Sequence, residues 1–263
     1  MSYEFLQVEK NDHVWEVTLN RPERMNAIHP PTSQELDSVF NDFAVDDDAW
    51  VAILTGAGDR AFSAGNDLKY QAEHGSKVVR AGMKGVRGGF GGITARFDLH
   101  KPMIAAVNGF ALGGGFELVL ACDIIIASEK ATFGLPEPRV GLMAGALGVH
   151  RLPRQIPYHQ AMGMLLTGRH ITPQEAKELG IVNEVCPHDE LLDRARAWAA
   201  QILECAPLSV RASKEAANKG LGMALEQAAG SIFPWTAQMN QSEDLIEGPR
   251  AFAEKRPPNW KGR

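Results

Sequence analysis

Apolar residues along this chain fall first into short, compact runs and later into helix-spaced stripes. Residues 5–9 and 14–19 are β-favouring runs joined by Lys10-Asn11-Asp12-His13, the pattern of a hairpin. Thr32-Ser33-Gln34-Glu35 has the form of a capping box, and Leu36, Val39, Phe40 and Phe43 behind it lie at helical spacing. Residues 50–55 form a continuous apolar run ended by Gly56, as expected of a buried strand. Residues 103–107 and 123–127 repeat the pattern. Between these last two lies a helix that begins after Gly115. Strand, loop, helix and strand recur, which predicts an α/β core.

Beyond residue 160 the periodicity turns helical. Thr172-Pro173-Gln174-Glu175 is a second capping box, with Gly180 as its helix stop. Leu191, Ala195, Trp198 and Ile202 share one helical face ahead of Pro207. Further helices are predicted over 210–218 and from about Met223, the last kinked or broken at Pro234. The division expected is a core over 1–194 and a helical region over 195–263. Ile232, Phe233, Trp235 and Met239 make the latter too apolar for a solvated tail, so it should pack on the core, on a neighbouring subunit, or on both.

Composition narrows the chemistry. The 263 residues are 44% hydrophobic and carry a formal charge of -5, so no basic field favours nucleic acid or an anionic membrane. No run approaches a spanning helix, no apolar leader opens the sequence, and the three cysteines form no Cys-x-x-Cys pair. The expectation is a cytoplasmic protein with no metal site.

Four glycine clusters compete for a role. Gly56-Ala57-Gly58-Asp59-Arg60-Ala61 fits a dinucleotide fingerprint in form, but Phe62-Ser63-Ala64-Gly65-Asn66 is a poor helix opening, so a turn is expected. The Arg/Gly segment 80–92 is a weak RNA-binding signal in an acidic chain. It reads as a mobile surface loop or as a lid over a pocket. Ala64-Gly65-Asn66-Asp67 and Gly113-Gly114-Gly115 each follow a predicted strand and can offer an unobstructed backbone N–H. Two such groups on one point would make an oxyanion hole, helped by the positive end of the following helix. Spacing alone leaves a tight turn as the other reading of each.

Two carboxylates stand out. Glu117 sits in the first turn of a helix whose other residues are apolar, so it should be partnered or working. Glu137 lies between Pro136 and Pro138, which should hold it extended, and Arg139 offers it a structural ion pair. Such a pair could share one water, one carboxylate taking its proton while the other donates elsewhere.

These residues resemble the crotonase superfamily, within it the enoyl-coenzyme A hydratases. The resemblance is carried by Asn20-Arg21-Pro22 with Asn26-Ala27, by residues 61–68, 108–118 and 133–137, and by Phe252-Ala253-Glu254-Lys255-Arg256. It implies a spiral of β-β-α units and a C-terminal helical region that builds trimers or hexamers. It implies no cofactor, since coenzyme A enters as part of an acyl-CoA substrate. The backbone N–H groups of Asn66 and Gly114 would hold the thioester oxygen. Glu117 would activate the water added to C3, and Glu137 would supply the C2 proton. Arg24, Met25, Ala27, Ala64, Asp67, Leu68 and Lys69 would contact the coenzyme, and Phe252 and Lys255 the coenzyme of a neighbouring subunit. Retention of both glutamates points to addition or removal of water. The alternatives are a double-bond isomerase and a dehydratase of a branched or polar acyl group, such as a carnitine-derived one. The chain departs from the family pattern at Asn66 and over 143–148, where Met143 and Leu147 add bulk near the acyl position.

Overall fold

A computed structural model describes residues 3–263. The hairpin is present as β1 (Leu6–Asn11) and β2 (Val14–Leu19), paired antiparallel. The buried runs form β3 (Val51–Gly56), β5 (Met103–Val107) and β7 (Ile124–Ser128). Each is followed directly by a short second strand: β4 (Ala61–Ser63), β6 (Phe110–Leu112) and β8 (Thr132–Gly134). Two small strands follow, β9 (His170–Ile171) and β10 (Glu184–Cys186).

The strands make two sheets, one ordered β1-β2-β3-β5-β7-β10 and the other β4-β6-β8-β9. From β2 to β10 the first sheet is parallel, and β4, β6 and β8 are mutually parallel in the second. Each turn of the chain thus lays one strand in the large sheet and one in the small sheet before passing through helix or loop. This is the β-β-α spiral.

The continuous apolar runs have a simple cause. In β3, Ala52 and Leu54 face a cluster containing Trp15, Phe40, Phe43, Phe62 and Phe116, whereas Val51 and Ile53 face the opposite side. There they meet Leu191, Ala195 and Ala199 of the helix Leu191–Leu203. A strand covered on both faces has no polar side to show, hence no alternation. That helix runs across residue 195.

Several local expectations are corrected. The first long helix spans Pro30–Val45 and starts ahead of the Thr32 capping box: His29 is its N-cap, accepting from the Thr32 N–H, with Pro30 in the first turn. Glu35 instead accepts from the N–H groups of Glu4 and Phe5, each at 2.9 Å, and ties down the start of the hairpin. The Thr172 capping box is present as read. The break expected at Pro234 is present: one helix ends at Ala229 and Pro234 opens the next, Pro234–Met239, where its missing N–H costs nothing. No helix follows Gly56-Ala57-Gly58; β4 does.

The glycine-rich segment is not a loose loop over its second half. Arg87 and Gly88 donate their N–H groups to Asp37, and Gly91 donates to the Ser33 hydroxyl. A Cβ at Gly92 would lie 2.4 Å from the Asp37 nitrogen, and one at Gly91 2.5 Å from the Leu118 side chain. Glycine is needed here for close packing, with φ of +66° and +57°, not for mobility.

The C-terminal helices Pro207–Gly220, Leu225–Ala229, Pro234–Met239 and Asp244–Glu254 follow. The third packs on the first, where the Trp235 N–H donates to buried Glu215. Leu221, Leu225, Ile232 and Phe252 remain largely exposed. No helix among the described residues is long and apolar enough to cross a membrane.

Candidate active site

The small sheet assembles the site. Because β4, β6 and β8 are adjacent and parallel, the residues that follow them emerge side by side. Those are Ala64-Gly65-Asn66, Gly113-Gly114 and Leu135-Pro136-Glu137. The two glycine clusters therefore do converge. A Cβ at Gly65 would lie 2.6 Å from the Gly114 nitrogen, so only glycine admits this approach.

The N–H groups of Asn66 and Gly114 have no acceptor among the described residues. A short parallel bridge pairs Ile28 with Asn66: the Ile28 N–H donates to the Gly65 carbonyl and the Asp67 N–H to the Ile28 carbonyl. This pattern turns the Asn66 N–H away from Ile28. Gly114 is the first residue of the helix Gly114–Val119, so its N–H has no acceptor within the helix. The Asn66 side chain is not free, since its amide donates to Gln71 at 2.7 Å.

Glu117 lies in the first turn of that helix and is only 3% exposed. Its Oε1 accepts from the Gly148 N–H at 2.7 Å. Burial lifts its pKa from the usual 4.5 to about 7. The Gly148 N–H opposes the rise, the charge of Glu137 adds to it, and the Ala146 N–H and the Arg151 guanidinium oppose it again.

Glu137 opens the short 3-10 turn Glu137–Val140 instead of continuing extended, which Pro138 permits because an early turn position needs no N–H. Burial raises its pKa as well. Its Oε2 is buried without a hydrogen-bond partner, and Oε1 lies 3.1 Å from where a Gly113 Cβ would stand. Arg139 does not pair with it; its guanidinium donates to the Thr167 carbonyl. The arrangement thus offers one buried and one half-buried carboxylate, both with raised pKa, beside two amide N–H groups that can donate to a negative oxygen.

The segments expected at the coenzyme also meet. The Ala64 N–H donates to the Met25 carbonyl, while Arg21 reaches both the Ala27 carbonyl and the Asp67 carboxylate. Asp67 caps the helix Leu68–His74. Burial disfavours its charge, but the Tyr70 N–H and Arg21 outweigh that and hold its pKa below the ordinary value. Arg24, Leu68 and Lys69 are exposed along this edge. Phe252, 87% exposed, and Lys255 stand on the last helix and its cap, away from this grouping within the chain.

Sequence reading missed the roles of Gly148 and Phe90, and saw in Leu147 only its bulk. Gly148 must be glycine, because a Cβ there would lie 2.8 Å from Glu117 Oε1. Phe90 lies against Gly114, whose Cβ would fall 2.4 Å from the ring. Leu147 adopts φ +79°, a conformation costly for a branched side chain, to turn the Gly148 N–H inward. A glycine directly ahead of the helical stretch 149–152 was the available signal for the first of these. Among the described residues, no group of three His, Cys, Asp or Glu side chains is placed to hold a metal ion.

Comparison with known proteins identifies the family and the fold. The sequence family described as enoyl-CoA hydratase/isomerase matches residues 9–263. Carnitinyl-CoA dehydratase of Salmonella arizonae is 46% identical over 264 residues, covering 98% of this chain and 99% of that protein. Its Escherichia coli counterpart is 45% identical and covers 99% of each. Among solved structures, enoyl-CoA hydratase of Mycobacterium tuberculosis superposes with a TM-score of 0.90 at 39% identity, covering 98% of this chain and 99% of that one. Enoyl-CoA hydratase of Bacillus anthracis gives 0.90 at 37%, covering 99% and 100%. With the β-β-α spiral and near full-length matches at these identities, the chain belongs to the enoyl-CoA hydratase/isomerase family and has the crotonase fold.

Proposed function

We propose that the protein removes water from, and adds it to, the C2–C3 bond of an acyl-CoA thioester, with a carnitinyl-type acyl group as its substrate. The observation that carries the reading is the placement of buried Glu117 and half-buried Glu137, both with raised pKa, at the amides of Asn66 and Gly114. Isomerisation needs one acid–base group, whereas exchange of water needs a proton moved at carbon and another at oxygen. The carnitinyl assignment is supported by relatives of that name at 45–46% identity over nearly the whole chain. The solved hydratases are less similar, at 37–39%.

In the direction of elimination, ionised Glu137 takes the C2 proton. The electron pair passes towards the thioester carbonyl, whose oxygen is held by the Asn66 and Gly114 N–H groups. The C3–O bond breaks as protonated Glu117 gives its proton to the leaving hydroxyl, and water and an enoyl thioester result. Addition of water reverses each step. A pKa of about 7 leaves Glu117 able to give or take a proton near neutrality. Arg24, Met25, Ala27, Ala64, Asp67, Leu68 and Lys69 would line the coenzyme path. Phe252 and Lys255 would complete it on a neighbouring copy, consistent with their exposure here.

The test is a panel of thioesters assayed for water loss or gain: carnitinyl-CoA, 3-hydroxybutyryl-CoA and crotonyl-CoA. The proposal expects turnover of carnitinyl-CoA with the highest kcat/KM. Faster turnover of 3-hydroxybutyryl-CoA would reject the acyl assignment while keeping the reaction. No change of water content in any thioester would reject the reaction itself.

A further inference from the structure

We propose that a second cavity, behind the helix Gly114–Val119, binds a small oxyanion, a phosphate or a carboxylate group, between Arg151 and His100. The cavity has a volume of about 270 Å³, and Arg96, Phe97, His100, Cys122, Arg151 and Lys219 are among its lining residues. Neither Glu117, Glu137 nor any residue of the coenzyme edge lines it, although Arg151 on its wall acts on Glu117 electrostatically.

The charge balance of its wall singles out Arg151. Arg96 pairs with Asp98 at 3.1 Å and donates to Asn41, Lys214 pairs with Asp123 at 2.6 Å, and Lys219 pairs with Glu215. Each of those cations is in an ion pair, Arg96 sharing Asp98 with Arg87. Arg151 makes no such ion pair among the described residues, Glu117 acting on it only at longer range, and its Nη1 is buried without any hydrogen-bond partner. Its guanidinium carbon lies 5.8 Å from the Phe97 ring centroid, a contact that leaves the edge N–H groups unspent.

His100 supplies a second donor. Its Nδ1 is buried and unpartnered, and its side chain is 10% exposed. The Nε2 is 3.8 Å from Glu215, beyond hydrogen-bond range, so the tautomer with hydrogen on Nδ1 gives up no bond to form. Glu215 is already committed to Lys219 and to the Trp235 N–H, and Asp123 to Lys214 and the Met103 N–H. Neither is left to neutralise Arg151.

A half-buried guanidinium with unspent donors, beside an imidazole N–H, suits the planar or tetrahedral oxygens of an oxyanion. The volume is below that of a drug-sized site, which favours a small anion or a single anionic group over a whole coenzyme.

The test is calorimetric titration of the full chain with inorganic phosphate and, separately, acetate. Ionic strength is held constant with sodium chloride and no thioester is present. Saturable binding of either anion is expected, weakened about tenfold or more in R151Q and several-fold in H100Q. A parallel rise in Tm should follow the occupancy in the wild type. If R151Q does not fold, H100Q alone decides. Absence of saturable binding for both anions would overturn the proposal, and so would binding that the folded variants retain in full.

Discussion

Glu117 Oε1 and the Gly148 N–H are joined at 2.7 Å, and a Cβ at Gly148 would fall 2.8 Å from that same oxygen. The carboxylate and the glycine therefore fit only each other. In G148A the methyl group must push the carboxylate aside or unwind the start of the helix Gly148–Gln155. We expect kcat to fall about 100-fold with KM little changed, because misplacement of this size disturbs the reacting group before it disturbs binding. Steady-state kinetics on the folded variant check this.

Phe90 and Gly114 give a second steric pair. A methyl group at residue 114 would lie 2.4 Å from the ring, next to an amide of the proposed oxyanion hole. G114A should lose activity at least tenfold. Removing the ring in the double variant G114A/F90A should restore part of it, so the two changes should not be additive. Activity of the two single variants and the double variant decides this.

The raised pKa of Glu117 has a stability consequence whose sign is fixed. A carboxyl that titrates near 4.5 unfolded and near 7 folded costs nothing below 4.5, since both states are then protonated. The cost grows between those values and is complete above about 7. E117Q should therefore be more stable than the wild type at pH 8 by roughly 3 kcal/mol, and the advantage should vanish towards pH 4.5. Denaturant titrations at several pH values measure it.

Arg151 acts on the same carboxyl in the opposite direction, favouring its ionised form. Removing that charge in R151Q should lift the Glu117 pKa above about 7. In the elimination direction the acid form is the useful one, so the alkaline limb of the kcat profile should move to higher pH. A pH–rate comparison of wild type and R151Q tests this.

Much of the site was legible in the sequence because its parts follow strands. Buried runs ended by glycine marked β3 and β5, and residues 113–115 ahead of Glu117 marked the amide and the carboxylate together. What closes the site was not legible, because it depends on contacts distant in sequence. Gly148 meets Glu117 across 31 positions, and Gly88 meets Asp37 across 51. No local periodicity records such contacts. The His29 cap was hidden for a different reason: Thr32-Ser33-Gln34-Glu35 has the form of a capping box, while the helix starts two residues earlier at Pro30, proline being at home in a first turn.

The central claim is that Glu117 and Glu137 divide the acid and base work at C2 and C3. It is tested most directly by kcat for water elimination from carnitinyl-CoA in E117Q and in E137Q, each a near-isosteric change that keeps the side chain in place. Each variant is expected to lose 100-fold to 10,000-fold in kcat, in the range of about 10²–10⁴ for general acid–base groups, with KM nearly unchanged. Wild-type kcat in either folded variant would contradict the account.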